Sequence, residues 1–198
     1  MGVKDAFLYA YINGGQMAVL RILKYGDKLL RKKTKQVSYQ EIKNKLPLIL
    51  KDMYDTMEFA NGIGLSANQV GLDMQLAIIS YKENTKHYNF VIINPVIVSL
   101  DGEIYGDEGC LSFPGFFIKV KRYENVVVRA INENGLPVEI KATGLLARAF
   151  QHEIDHLNGV LFIDYLPLRL KLRYMPVLAK LKRQWKKIDE SKMEPRVI

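Results

Sequence analysis

Cysteine and histidine are scarce in this chain. Cys110 is the one cysteine among 198 residues, so no internal disulfide can form. A reducing compartment fits that count. Only three histidines occur, and two of them, His152 and His156, stand four residues apart. No apolar run approaches the roughly 18 residues of a membrane span, so no membrane partner is expected. Repeats, low-complexity tracts and interdomain linkers are also missing, and the length suits one domain with a sizeable core. Acidic residues are absent from 169–187, a stretch that carries Arg169, Lys171, Arg173, Lys180, Lys182, Arg183, Lys186 and Lys187. Those eight basic residues equal the whole formal net charge of +8, so the rest of the chain is a charge-balanced body. A basic tail suits an anionic surface such as RNA, and a solvated helix face is the plainer reading. Nothing reads as a sequence-specific DNA-binding motif.

Residues 1–16 differ from the rest of the chain. Their apolar core, 6–12, is short, and Asp5 at its front edge is wrong for a signal peptide. Met1-Gly2 begins a myristoylation-like pattern, but Ala6 stands where Ser or Thr is wanted. The segment is expected to be an N-terminal extension, from an upstream start or an appended remnant, ahead of one domain over 17–198.

The pattern along that domain predicts α+β architecture, with mixed or antiparallel sheets packed around a central helix. Ser38 and Glu41 have capping-box spacing. Apolar residues at helical intervals predict a helix over 46–60, with Pro47 tolerated in its first turn and Asn61-Gly62 as its stop. Residues 75–81 and 88–93 are β-like. Asn94-Pro95 interrupts, 96–100 comes next, and Asp101-Gly102 is a hairpin-type signal. Another pair of strands is expected at 126–131 and 137–142. A helix then covers Leu145 to Leu157, closed by Asn158-Gly159, and a basic C-terminal helix opens at Pro176 and runs to about 190, with Val177, Leu178, Leu181 and Trp185 on its apolar side.

The chemistry centres on Gln151-His152-Glu153-Ile154-Asp155-His156. Histidines four apart share one helix face, so two imidazole nitrogens can meet one metal ion, with Glu153 beside them as a base toward water. By itself the motif is also compatible with two ordinary buried or surface histidines. A catalytic metal commonly takes three protein ligands and leaves one position open. Cys110 is the candidate third ligand. Gly109 beside it lets the backbone approach something closely, which a core cysteine does not require. One thiolate and two imidazoles accept Fe(II), Zn(II), Ni(II) or Co(II). A third stretch, Gly62-Ile63-Gly64-Leu65-Ser66-Ala67-Asn68-Gln69, comes after a helix; alone it reads as a turn, and Gln69 as either an amide donor or a surface residue.

In this order the three stretches resemble peptide deformylase, whose motifs are Gly-φ-Gly-Leu-Ala-Ala-x-Gln, Glu-Gly-Cys-Leu-Ser and Gln-His-Glu-x-Asp-His. The second and third are matched in full by 108–112 and 151–156; the first differs at Ser66, where the family usually has Ala. The segment from Met17, Met-Ala-Val-Leu-Arg-Ile-Leu, resembles the usual family start. The resemblance implies a metal held by Cys110, His152 and His156, typically Fe(II), with zinc in some members. It implies that water activated there, with Glu153 as general base and then acid, attacks the formyl carbon of an N-formylmethionyl nascent peptide, with Gln69 and the Leu111 N–H donating to the formyl oxygen. The peptide would lie as an added strand along Ile63, Gly64 and Gly109. Leu145 and Ala149, with Ile63, would wall the methionine pocket, and Arg148 would line its mouth. Some members carry an arginine where this chain has Phe117. Asp155 is expected to be structural, oriented by a partner such as Arg122. The basic helix resembles the one with which bacterial deformylases dock near the ribosomal exit tunnel, here through Lys180, Lys182, Arg183, Lys186 and Lys187. A bacterial cytoplasm, or an organelle of bacterial descent, is the implied location. A general His-Glu-x-x-His peptidase would leave Cys110 and Gln69 without a task. A ribosome-associated binding protein that has lost catalysis would not need Glu153.

Overall fold

The computed structural model describes residues 19–83 and 85–192; the extension expected over 1–16 and the side chain of Lys187 lie outside the described residues. The chain order is α1 (Tyr39–Ile42), α2 (Leu46–Phe59), β1 (Gly64–Ser66), β2 (Leu76–Glu83), β3 (Lys86–Asp101), β4 (Ile104–Gly109), β5 (Phe117–Arg122), β6 (Asn125–Ile131), β7 (Pro137–Thr143), α3 (Gly144–Leu157) and α4 (Leu168–Lys192). The strands form a five-stranded sheet of order β1-β2-β3-β6-β7 and a separate ribbon, β4-β5. Every pairing is antiparallel, so the α+β class holds.

Strand alternation explains how two helices share this sheet. In β2, Leu76 and Ile78 point one way and pack with Met53 and Met57 of α2. Ala77 and Ile79 point the other way and pack with Phe150, Ile154 and Leu157 of α3. The run Leu-Ala-Ile-Ile is continuously apolar because both its faces are covered. A third core lies under the ribbon, where Ile118 and Val120 of β5 meet Phe113, Phe116, Phe162 and, from α4, Leu178 and Trp185.

Several local expectations are corrected. Asn94-Pro95 does not end a strand: β3 runs through it, and the pairing moves from Ile93↔Ile131 to Val96↔Arg129, which leaves one extra residue on β3. Asn94 takes φ 51°, and its side chain bonds both ways with the Val37 backbone, so the bulge absorbs the proline's missing donor. Asp101-Gly102 does not close a hairpin either. β3 pairs with β6 and β4 with β5, so that turn carries the chain from one sheet to the other. Ser38 makes no side-chain cap bond, and α1 is only four residues long. The basic helix begins at Leu168, not at Pro176, which sits within it. Proline removes a single donor, and here the ring faces solvent. Val177 is exposed, while Leu178 and Trp185 are buried.

The two helices nearest the site behave as their sequences predict. Pro47 falls in the first turn of α2, and Asn61 at φ 54° with the Gly62 N–H returning to Met57 O at 2.9 Å ends it. α3 starts after Thr143 and is closed by Asn158, whose Nδ2 donates to Ile154 O at 2.8 Å, and by Gly159 at φ 75°. No helix among the described residues is long and apolar enough to cross a membrane.

Candidate metal centre

His152 and His156 are one turn apart on the buried side of α3, and their Nε2 atoms are 3.2 Å apart. Cys110 comes directly after β4, and its Sγ is 3.1 Å from His156 Nε2. The three ligand atoms all lie within 4.8 Å of one another. A tetrahedral ion with ordinary bond lengths separates two such ligands by about 3.4–3.6 Å. The cluster is therefore within a few tenths of an ångström of ligating geometry at its two shorter separations. One thiolate with two imidazoles also suits a divalent transition ion.

Glu108 fixes one imidazole. His152 donates Nδ1–H to Glu108 Oε1 at 2.6 Å, which leaves Nε2 with its lone pair toward the cluster. Glu108 also accepts from Arg122, through Nε at 3.0 Å and Nη2 at 2.6 Å, and from Arg148 Nη1 at 3.0 Å. Burial pushes this carboxyl up, but bonds from His152 and Arg122 outweigh it and hold Glu108 well below the usual carboxylate range. Arg122 continues to Asp155 Oδ2 at 2.5 Å, and Tyr165 Oη donates to Asp155 Oδ1 at 3.1 Å. The pairing of Asp155 with Arg122 is thus present.

Glu153 is buried beside the ligands, and its Oε2 has no hydrogen-bond partner among the described residues. Burial raises its pKa to about 7, against the pull of His152. Gly64 makes room for it, since a β-carbon there would overlap Glu153 Oε1. Gln69 lies on the single turn after β1. Its Oε1 accepts from Ser66 N at 3.0 Å and Ser66 Oγ at 2.8 Å, so its Nε2 points to Ser112 Oγ at 3.1 Å and Cys110 Sγ at 3.4 Å. In front of these groups is a cleft of about 600 Å³ whose lining includes Ile63, Gly64, Gly109, Leu111, Leu145, Ala149 and Phe117. Leu145, Ala149 and Ile63 are the apolar residues expected at the methionine pocket, and all three line this cleft. Arg148 also borders the cleft, but its guanidinium is turned to Glu108 and the β4–β5 backbone.

Three participants were not singled out from the sequence. Lys24 donates Nζ to Leu111 O at 3.1 Å, Ser112 accepts from Gln69, and Glu108 anchors His152. Glu108 and Ser112 flank Cys110 inside the Glu-Gly-Cys-Leu-Ser motif, which was the available signal; Lys24 carries none.

A structural metal site is usually closed by four protein ligands, whereas this candidate cluster offers three, with Glu153 lining the same cleft as Cys110 and His152. That donor set suits a metal-dependent hydrolase. The family model described as polypeptide deformylase matches residues 19–171, and the chain belongs to that family. Deformylation of nascent peptides is the family's function. A peptide deformylase of Elusimicrobium minutum is 48% identical over 175 residues, covering 85% of this chain and 99% of the relative. The crystal structure of a Legionella pneumophila peptide deformylase superposes with a TM-score of 0.75 at 42% identity, covering 85% of this chain and 98% of that one. A class I type b peptide deformylase from Acinetobacter baumannii, solved with Met-Ala-Ser bound, superposes with a TM-score of 0.73 at 33% identity, covering 76% of this chain and 100% of that one.

Proposed function

We propose that this chain hydrolyses the formyl amide at the N-terminus of newly made N-formylmethionyl polypeptides, releasing formate and a free amine. The observation that carries this reading is the buried Glu153 carboxyl, its Oε2 without a hydrogen-bond partner among the described residues, lining one cleft with Cys110 and His152 of the three candidate ligands. Cys110, His152 and His156 would hold one divalent ion, Fe(II) being the proposed physiological one, with Zn(II), Ni(II) or Co(II) also compatible. When bound, that ion supplies Lewis acidity, which lowers the pKa of water and polarises the formyl oxygen.

The chain's own groups do the rest. Glu153 takes a proton from the attacking water and gives it to the leaving amine nitrogen, a double duty that a pKa near neutrality suits. Gln69 Nε2 and the Leu111 N–H donate to the formyl oxygen as charge develops there, and loss of one such donor costs about 3 kcal/mol of barrier. The peptide adds as a strand between Ile63-Gly64 at the β1 edge and Gly109 at the end of β4. Its methionine enters the wall of Ile63, Leu145 and Ala149. The Met-Ala-Ser held by the Acinetobacter relative has the chemistry this cleft would accept.

The basic face of α4 would dock on ribosomal RNA near the exit tunnel, through Lys180, Lys182, Arg183, Lys186 and Lys187, in a bacterial or organellar setting. Binding to ribosomes that fails to weaken between 50 and 200 mM salt, by roughly tenfold or more for several phosphate contacts, would refute that docking. Residues 17–198 act as the catalytic domain, and deletion of 1–16 leaves turnover unchanged.

The test of activity is formate release from formyl-Met-Ala-Ser by protein purified without oxygen, with metal counted in the same sample. One ion per chain with turnover, and a loss of about 100-fold to 10,000-fold in Glu153→Gln with the ion retained, is the expected result. Retained metal without turnover after loading with Fe(II), Ni(II) and Co(II) overturns it.

A further inference from the structure

Arg148 lies on α3 one turn before His152 and is only 7% exposed. A buried guanidinium needs acceptors, and this one finds them on the ribbon. Nη1 donates to Glu108 Oε2 at 3.0 Å, Val120 O at 3.3 Å and Gly106 O at 3.4 Å. Nη2 donates to Ile104 O at 3.4 Å. Gly106 and Val120 are direct partners in the β4–β5 register, so one cation spans both strands. Gly106 makes the approach possible. A β-carbon there would stand 2.8 Å from Arg148 Nη2 and 3.2 Å from Cζ. Its φ is not positive, so space rather than backbone conformation explains the glycine.

This contact matters because the ligands sit on two bodies. His152 and His156 belong to α3, packed on the five-stranded sheet, whereas Cys110 and Glu108 belong to the ribbon, which shares no strand pairing with that sheet. Nothing in the backbone ladder fixes the gap across which a thiolate and two imidazoles must meet. Two arginines cross it in opposite directions. Arg148 reaches from helix to ribbon, and Arg122 reaches from β5 to Asp155 on α3. Both close on Glu108, and the two guanidinium groups face two carboxylates, so the brace is neutral in charge.

We propose that Arg148 is a positioning residue of the metal centre, setting the separation between the Cys110 ribbon and the histidine helix and holding Glu108 against His152. The inference rests on the metal-centre reading above and assigns the guanidinium to the protein rather than to the peptide. Lysine cannot replace it: one ammonium is a point donor and cannot span acceptors on two strands and a carboxylate.

The experiment uses the full chain loaded with Co(II) without oxygen. Wild type, Arg148→Lys, Arg148→Met and Gly106→Ala are compared by the rate of metal loss to a chelator and by the Co(II) absorption spectrum, including the thiolate-to-metal band. Melting of each metal-free variant reports the fold separately. Loss of a group that supports a ligand weakens metal affinity by about 10-fold to 100-fold. Loss of Co(II) about 10-fold to 100-fold faster, with altered bands, is therefore expected in both arginine variants and, in the same direction, in Gly106→Ala, where the arginine is intact but displaced. If Arg148→Met does not fold, the lysine and alanine variants carry the test. Unchanged metal loss and spectra in folded Arg148→Lys and Gly106→Ala, with wild type holding one ion, overturn the inference, even if melting falls. A wild type that holds no ion overturns the metal-centre reading itself, and the inference with it.

Discussion

Adding one methyl group to Gly64 tests the proposed base without touching it. Gly64 lies in β1, and its φ is not positive, so alanine meets no backbone strain. The β-carbon would overlap Glu153 Oε1 and stand 2.9 Å from both Cδ and Cγ. Ordinary carbon contacts need about 3.5 Å or more, so Glu153 must shift by something near 1 Å. Glu153 is buried, and the cleft is the open side. A misplacement of about 1 Å lowers turnover on the order of 100-fold, which is about 2.7 kcal/mol of barrier. Overpacking costs about 1–3 kcal/mol of stability as well. Kinetics with formyl-Met-Ala-Ser should show the loss in kcat while one metal per chain remains, because the three atoms nearest the methyl all belong to Glu153. The double variant Gly64→Ala/Glu153→Gln should lose little beyond Glu153→Gln alone, since the group being displaced is already disabled. A folded, metal-loaded Gly64→Ala within threefold of wild type would show that Glu153 does not act from this position. Full additivity in the double variant would show that the methyl obstructs the peptide instead.

Ser66→Ala removes the 2.8 Å bond to Gln69 Oε1 but leaves the Ser66 N–H bond at 3.0 Å, so kcat should fall about fivefold, the worth of one ordinary hydrogen bond, with metal content unchanged. An unchanged kcat would mean the backbone bond alone orients the amide. Phe117 is 69% exposed on the cleft rim, and Phe117→Arg should raise kcat/KM about two- to fivefold for peptides with an acidic residue after methionine, a gain that added salt erases. Equal effects on acidic and neutral peptides would refute a charge contact. Glu108 titrates below its unfolded value of about 4.3, so the folded state holds fewer protons, and the stabilisation is complete above that value and lost as pH falls beneath it. Glu108→Gln should therefore cost about 3–5 kcal/mol at pH 7 in the metal-free protein, and urea titrations should show the gap from wild type narrowing toward pH 3. A gap independent of pH would remove Glu108's charge from the account.

The parts of the site that were legible in the sequence are those set by local geometry. His152 and His156 meet because residues four apart on a helix face must, and the stops at Asn61-Gly62 and Asn158-Gly159 arise from backbone conformations that few residues adopt. Cys110 was legible through its neighbour Gly109. The ribbon was not read, although Phe-Ile-Lys-Val-Lys-Arg in β5 alternates cleanly, with Ile118, Val120 and Arg122 inward. Its outer partner β4 holds two glycines and two acidic residues, a composition that does not announce a strand. Which sheet each strand joins is a long-range matter, so Asp101-Gly102 carries a hairpin-type signal and yet forms a corner between sheets. Pro176 suggests a helix start but sits within α4 on its exposed side, where water can satisfy the carbonyl left without an N–H partner. Arg148 read as a cleft residue since only the folded ribbon shows where its charge goes.

Gln69 comes after β1 of one sheet and Leu111 after β4 of the other, so the two proposed formyl-oxygen donors need a link to stay in register. The segment 20–25 provides it. Leu20 N donates to Thr56 Oγ1 at 2.8 Å, which ties the segment to α2. Leu23 N then donates to Gln69 O at 2.7 Å, and Tyr25 N to Ser112 O at 3.0 Å. Lys24 Nζ between them reaches Leu111 O at 3.1 Å. Three consecutive residues thus lace the Gln69 turn to the Cys110 loop, while Arg148 and Arg122 brace that loop's ribbon to α3 on the far side. Each member of the site has short-range reasons for its own conformation, but its distance to the others is set by these crossings. Catalysis by placed donors and a placed base depends on tenths of an ångström. On the proposed reading, the laces and braces would therefore position the donors and the ligands, although none of them touches the formyl group.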